Sequence, residues 1–327
     1  EKNNSVFHKK DGIKNVIVNV ILLPFVKQRL RKEKGFADFV ENYIPHTEKV
    51  VNVEQLKALV DREQYQAIIT GSDQVWNPHI FDFDEMFFFP FETKATKIGY
   101  SVSIGESSLE DIRGYSKYAK DFPYVGLREK GAKEKVEAIC GHGVVDTVDP
   151  VLLLTKEDWE TFVDKSSPLG KEKYLLCYLI DKKPIKQNMA IAEQIAKERG
   201  LKIKYIWMHL EKESFRGNFI NDASPVEFLN YVYHASAVMT DGYHGTVFST
   251  IFNKPMYSVI NNRQSTDSRI RDYLTLIGLE SRIFYGDAPV IPKEEIDYTE
   301  VDPQIRSVAD ESKAFLQSAI DNERVVR

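Results

Sequence analysis

Only two cysteines occur in the 327 residues, Cys140 and Cys177, and they form no CxxC pair. That excludes a cysteine-built zinc site, argues against a disulfide, and reads as a reduced, cytoplasmic compartment. No apolar run approaches the ~20 residues that a membrane-spanning helix needs. The longest, 16–26, is too short and contains Asn19 and Pro24. A basic cluster follows it: Lys27, Arg29, Arg31, Lys32 and Lys34. The segment 27–34 either touches an anionic membrane surface at the inner face or is the solvated end of a packed helix. There is no basic tail, and the formal net charge is -5, which argues against nucleic acid as a partner. A small anionic substrate stays compatible, because a pocket can be positive inside an acidic protein. The chain has no GxxxxGK[ST] phosphate loop, no HExxH and no GxSxG. Gly141-His142-Gly143 lacks the third glycine of a dinucleotide fingerprint and follows a helix, so it does not indicate NAD. No cluster of metal-ligand residues is visible, and there is no internal repeat.

What is present is an ordinary globular balance, 43% hydrophobic and 28% charged, with length enough for two domains. The 16 Tyr and 19 Phe suit a core or a sugar-facing surface equally. Short apolar runs alternate with amphipathic stretches, which means βαβ units and parallel sheets. Strands are predicted over 65–70, 96–102, 124–127 and 144–148, with helices over 54–61, 111–120 and 130–139. A polar stretch, 164–171, combines Ser, Pro and Gly and is the best linker. A second α/β series follows. Its strands are 174–180, 202–208, 237–240 and 256–260, and its helices are 186–199, 225–233 and 246–252. Ser224, Pro225 and Glu227 form a helix-start signature. The reading is therefore an N-terminal domain over 1–167 and a C-terminal domain over 168–327. A long terminal helix, 303–323, is expected to pack back toward the first domain. Two Rossmann-like α/β halves facing a cleft would bind ligands at the carboxyl ends of their strands.

Two segments place polar residues directly after a buried strand. In Thr70-Gly71-Ser72-Asp73-Gln74-Val75-Trp76-Asn77-Pro78, a glycine permits close backbone approach and a carboxylate and an amide follow it. Asp73 is either a cleft carboxylate or a turn cap, and Trp76 is either a flat face for a sugar or core. In Thr240-Asp241-Gly242-Tyr243-His244-Gly245-Thr246, the polar residues open a helix, whose first N–H groups and dipole make an anion site. His244 either adds a proton donor there or is a packed histidine, and Asp241 is either functional or a plain cap.

Gly71-Ser72-Asp73-Gln74-Val75-Trp76-Asn77 resembles the main signature of the polysaccharide pyruvyl transferase family. Thr240-Asp241-Gly242-Tyr243-His244-Gly245-Thr246-Val247-Phe248 is similar to its second, usually read as Thr-Asp-Ser-Phe-His-Gly, and Ile251-Phe252-Asn253-Lys254-Pro255 also matches. Tyr100 to Gly105, Arg128-Glu129-Lys130 and Asp149-Pro150-Val151-Leu152-Leu153 fall in the family's order. The resemblance runs from about Tyr65 to about Arg282. It implies a fold like that of two-domain (GT-B-type) glycosyltransferases, and transfer of pyruvate from phosphoenolpyruvate to a sugar of a cell-surface polysaccharide or its precursor, closing a ketal over two hydroxyls. Implied partners are phosphoenolpyruvate, as donor substrate, and a glycan acceptor that could be lipid-linked. No cofactor and no metal are expected.

The donor's phosphate and carboxylate need a cationic clamp, for which Arg128 is the candidate. Asp73 is the expected general base, and His244 the expected proton donor to the enol or the departing phosphate. Ser72, Gln74, Trp76, Asn77, Asp241, Tyr243, Gly245 and Thr246 complete the expected substrate-binding set. Some family members carry an arginine where this chain has Gly242, and Arg216, Arg263 and Arg269 are candidates to supply that charge. Family members usually begin with a strand and a glycine loop, which 1–34 does not resemble. The chain opens at Glu1 without methionine, so either it is a fragment or trimmed at its start and lacks that segment, or this member is unusual. The alternatives are a nucleotide-sugar glycosyltransferase and a catalytically silent sugar-binding relative.

Overall fold

The computed structural model describes residues 13–181, 184–207, 218–260, 269–285, 291–292 and 294–322, with side chains from residue 26 onward. Met208, Arg216, Arg263 and Glu323 lie outside the described residues. The chain forms two compact units, 48–159 with 260–327, and 1–47 with 160–259. The chain passes from one unit to the other at Trp159–Glu160, a few residues before the polar stretch 164–171. The N-terminal helix clusters with the second sheet, where the sequence reading placed 1–167 in one domain.

The first sheet is parallel, in the order β1 (Ala67–Thr70), β2 (Thr96–Val102), β3 (Tyr124–Leu127) and β4 (Val145–Asp146). β3, Tyr124-Val125-Gly126-Leu127, is buried throughout, as a central parallel strand covered on both faces is. One face holds Trp76, Phe88, Phe122, Leu127 and Val136. The other takes the helix Tyr298–Ile320, whose Phe315 and Ala319 pack on Ile98, Tyr100 and Tyr124. Ser312 on that helix accepts a hydrogen bond from Val148 N–H at 3.0 Å. The helix starts at Tyr298 rather than at 303, because Asp297 caps it through Thr299 N–H and Pro303 is accommodated inside. The stretch 111–120 is not one helix. It breaks into Leu109–Ile112, a 3-10 turn Arg113–Tyr115 and Ser116–Ala119, around Gly114, whose backbone freedom disfavours an uninterrupted helix.

In the other unit β5 (Tyr174–Leu179), β6 (Lys202–Trp207), β7 (Phe219–Ile220), β8 (Ala237–Thr240) and β9 (Met256–Ile260) pair in parallel in the order β9-β8-β5-β6-β7. The helix Ile185–Arg199 ends on Gly200 in the left-handed conformation, and Ser224 with Glu227 forms a complete capping box on Pro225–His234. The helix Ile13–Tyr43 docks here: Arg31 pairs with Asp222 and Glu227, and Phe39 and Tyr43 pack their rings on Phe162. The basic segment 27–34 is therefore part of a helix held to its own unit. No helix among the described residues is long and apolar enough to cross a membrane.

Candidate active site

The first loop leaves β1 at Thr70 and is built against the end of β2. Gly71 has φ +130°, and a Cβ at this position would overlap the Tyr100 carbonyl oxygen. Only glycine lets the two strands come this close. Gly71→Ala is expected to destabilise the unit by about 2–4 kcal/mol, because the obstacle is backbone and cannot swing away. Chemical denaturation checks this, and a wild-type midpoint would mean the strands separate freely.

Two residues on, Asp73 sits in the left-handed region at φ 67°. Its carbonyl accepts from Val75 N–H at 2.8 Å and Ser103 N–H at 3.0 Å, and its backbone bridges Val102. The strained backbone is thus tied down on both sides, an arrangement common where a side chain must be aimed.

The carboxylate so placed is 55% exposed, and its Oδ1 accepts from Arg128 at 2.6 Å, from Arg269 at 3.4 Å and from Gln74 N–H at 2.9 Å. Arg128 arises at the end of β3, its N–H donating to Val102 O at 3.1 Å. Its other guanidinium arm donates to Asp149 at 2.9 Å, and both of those side chains are 1% exposed. Asp149 is itself held by Val151 N–H at 3.1 Å. The chain of charges runs from buried to exposed: Asp149, Arg128, Asp73. Arg269 meets Asp73 from the start of the helix Arg269–Leu276.

Arg128, expected as a donor clamp, has its guanidinium divided between the carboxylates of Asp73 and Asp149. A buried cation needs such partners, since its desolvation is otherwise uncompensated. Trp76 departs from the expectation. It is fully buried, stacked on Phe88 at 4.8 Å and edge-on to Phe122, so it offers no face to a sugar. Asn77 is also buried, accepting from Ser107 Oγ and His79 N–H, which makes it the internal brace of the loop. Ser72 and Gln74 are half-buried.

Glu129, next to Arg128, is buried and accepts from Ile104 N–H at 3.0 Å. Burial pushes its carboxyl above the ordinary value of 4.5, against the opposing pull of Ser103, Arg128 and Arg269. A raised folded value means the native state keeps the proton to higher pH than the unfolded chain. Stability is therefore lost as pH rises from 4.5 toward that raised value. Glu129→Gln keeps an acceptor for Ile104 and is expected to flatten the slope of melting temperature against pH. An unchanged slope would rule the shift out.

The second loop leaves β8 at Thr240, whose hydroxyl accepts from Gly242 N–H at 3.0 Å. The helix Tyr243–Ile251 begins one turn earlier than 246, with Gly242 as its N-cap and no side chain capping it. His244, Gly245 and Thr246 thus belong to the first turn. Gly245 is required, as a Cβ would overlap the Thr240 hydroxyl and crowd Tyr178. Thr246 is buried and bonded to Gly242 O at 3.2 Å and Ser258 at 2.9 Å. Tyr243 is buried, with His244 half-buried edge-on to its ring. Asp241 accepts from Ile180 N–H at 2.7 Å and Asn188 at 3.1 Å, so it fastens this loop to the end of β5. Both cysteines are buried, and burial pushes Cys140 up to about 12 and Cys177 well above its usual value, which leaves neither as a thiolate nucleophile. No group of three or more potential metal ligands occurs among the described residues.

Asp149 and Glu129 were not among the expected site residues, and Arg269 was one of three arginines named to supply the charge missing at Gly242. Asp149 and Glu129 each follow a strand closely, which is the signal that could have marked them.

The fold has relatives among solved structures. A putative UDP-N-acetylglucosamine 2-epimerase from Listeria monocytogenes is 10% identical, with TM-score 0.52 over 88% of this chain and 80% of that one. The S. aureus MnaA-UDP structure is 12% identical, with TM-score 0.52 over 91% and 87%. The UDP-N-acetylglucosamine 2-epimerase from Rickettsia bellii is 12% identical, with TM-score 0.51 over 83% and 78%. At these identities the likeness speaks for the fold, which is α/β with parallel sheets and GT-B-like. No curated protein matches the chain. The profile of the family described as polysaccharide pyruvyl transferase matches residues 5–263, which include both loops, and the chain therefore belongs to that family and is an enzyme of the pyruvyl transferase kind.

Proposed function

We propose that the enzyme transfers the pyruvyl group of phosphoenolpyruvate onto two hydroxyls of one sugar in a polysaccharide or its precursor, closing a ketal and releasing phosphate. The observation that carries this reading is Asp73, an exposed carboxylate held at the end of the first sheet by a buried arginine. The reaction protonates the donor's methylene carbon, and a sugar hydroxyl adds to the adjacent carbon. Phosphate then leaves, and the second hydroxyl closes the ring. Of the two hydroxyl protons, one is accounted for by the new methyl group and the other by the phosphate. Asp73 is the base that accepts a proton from the attacking hydroxyl.

In the other unit, the start of the helix Tyr243–Ile251 is suited to an anion, since its N-cap is a glycine that brings no competing side chain. Taken by itself, that helix start is a proposed anion site of its unit, with His244 in its first turn as a proton donor. The test is incubation with phosphoenolpyruvate and a panel of glycans. Release of free phosphate that depends on the glycan, with a matching gain of mass on the sugar, is the expected result. Phosphate release without sugar modification, or transfer from a nucleotide sugar instead, would overturn the reading.

A further inference from the structure

Among the described residues two arginines meet Asp73, and they are not equivalent. Arg128 approaches to 2.6 Å, is 1% exposed, and gives its second arm to Asp149. Arg269 approaches only to 3.4 Å and is 16% exposed. A guanidinium at the longer distance makes a weak contact with the same oxygen that Arg128 already holds tightly. The half-buried Gln74 carboxamide lies against Arg269 as well. In the orientation its neighbours favour, its oxygen accepts from the two guanidinium nitrogens at 3.1 and 3.2 Å. A guanidinium steered by an amide and loosely set on a carboxylate is arranged to read the planar, two-oxygen edge of a carboxylate.

We infer that Arg269 binds the carboxylate of the enol-phosphate donor, and that the donor competes with Asp73 for it. Arg269 turns from Asp73 Oδ1 to the incoming carboxylate. Asp73 then keeps Arg128 for its position and loses the Arg269 contact as the substrate arrives. Donor binding and the readying of the base become one event. Gln74 stays beside the guanidinium throughout and limits its swing. This inference rests on the reading of Asp73 as the base only for its second half. The carboxylate-binding role of Arg269 stands on its own.

Calorimetric titration of the full chain with phosphoenolpyruvate tests it. Arg269→Gln is expected to weaken binding at least about tenfold, the usual scale for a lost charge-assisted contact. Asp73→Asn, which relieves the competition, is expected to leave affinity unchanged or raise it a few-fold. Inorganic phosphate, the second probe, should bind Arg269→Gln and wild type alike. Should Arg269→Gln melt far below wild type, Arg269→Met keeps the length of the stem and carries the same expectation. Wild-type affinity for phosphoenolpyruvate in either folded variant overturns the inference while leaving Asp73 as the base. Equal weakening of phosphate and phosphoenolpyruvate overturns the carboxylate assignment. A fully active Asp73→Asn variant overturns the base, without touching the result for Arg269.

Discussion

Asp73→Asn is expected to give a folded protein with near-normal donor affinity and a turnover lowered at least about a hundredfold, the contribution usual for a positioned general base. The asparagine has nearly the same shape and keeps an oxygen for Arg128 and for Gln74 N–H, but it accepts no proton. The competing account is that Asp73 only pairs with Arg128 and closes its own turn. The same change would then cost about a kilocalorie of stability and leave turnover alone. The 55% exposure of the carboxylate separates the two accounts. A carboxylate kept solely to neutralise Arg128 would be expected to share its burial, as Asp149 does. Melting temperature and turnover measured on one purified variant decide the matter. A stable, fully active Asp73→Asn protein takes Asp73 out of the mechanism.

Arg128→Met is expected to act first on stability. The substitution leaves Asp149 buried without its cation, and breaking a buried ion pair from one side costs about 3–5 kcal/mol. The melting transition should fall on the order of 10 °C. Activity should fall as well, because the side chain that aims Asp73 is gone. Replacing Arg128 and Asp149 together by apolar residues should recover much of the stability, since no charge then stays buried and unpaired, but it should not recover turnover. Thermal denaturation beside a turnover assay separates these effects. A variant that melts like wild type but no longer binds phosphoenolpyruvate would make Arg128 the donor clamp.

Much of the fold follows from local pattern. β2, β3, β8 and β9 begin and end at the residues expected from the sequence, because a largely apolar stretch between polar or turn residues is a local pattern. The capping box at Ser224 and the left-handed Gly200 were equally legible, since each acts through neighbours within four residues. β7 was not legible. Two residues, Phe219 and Ile220, carry no period, and their strand exists because β6 lies alongside. The position of the N-terminal helix was hidden for a similar reason. Its partners Asp222 and Glu227 are more than 190 residues away.

At the site, the amino-acid sequence by itself determined that two polar loops follow buried strands. It also determined that glycines sit where backbones must come close, at Gly71 and Gly245. Those are demands of short-range sterics, and they are written locally. Tertiary structure alone decided what the side chains do. Asp73 meets Arg128 across 55 residues and Arg269 across 196, and Arg128 meets Asp149 across 21. Attraction between charges depends on distance in space and on burial, neither of which the order of residues records. Trp76 makes the same point for an apolar group. An indole is equally fit for a sugar face or a core, and only the rings of Phe88 and Phe122 packed on it make it core.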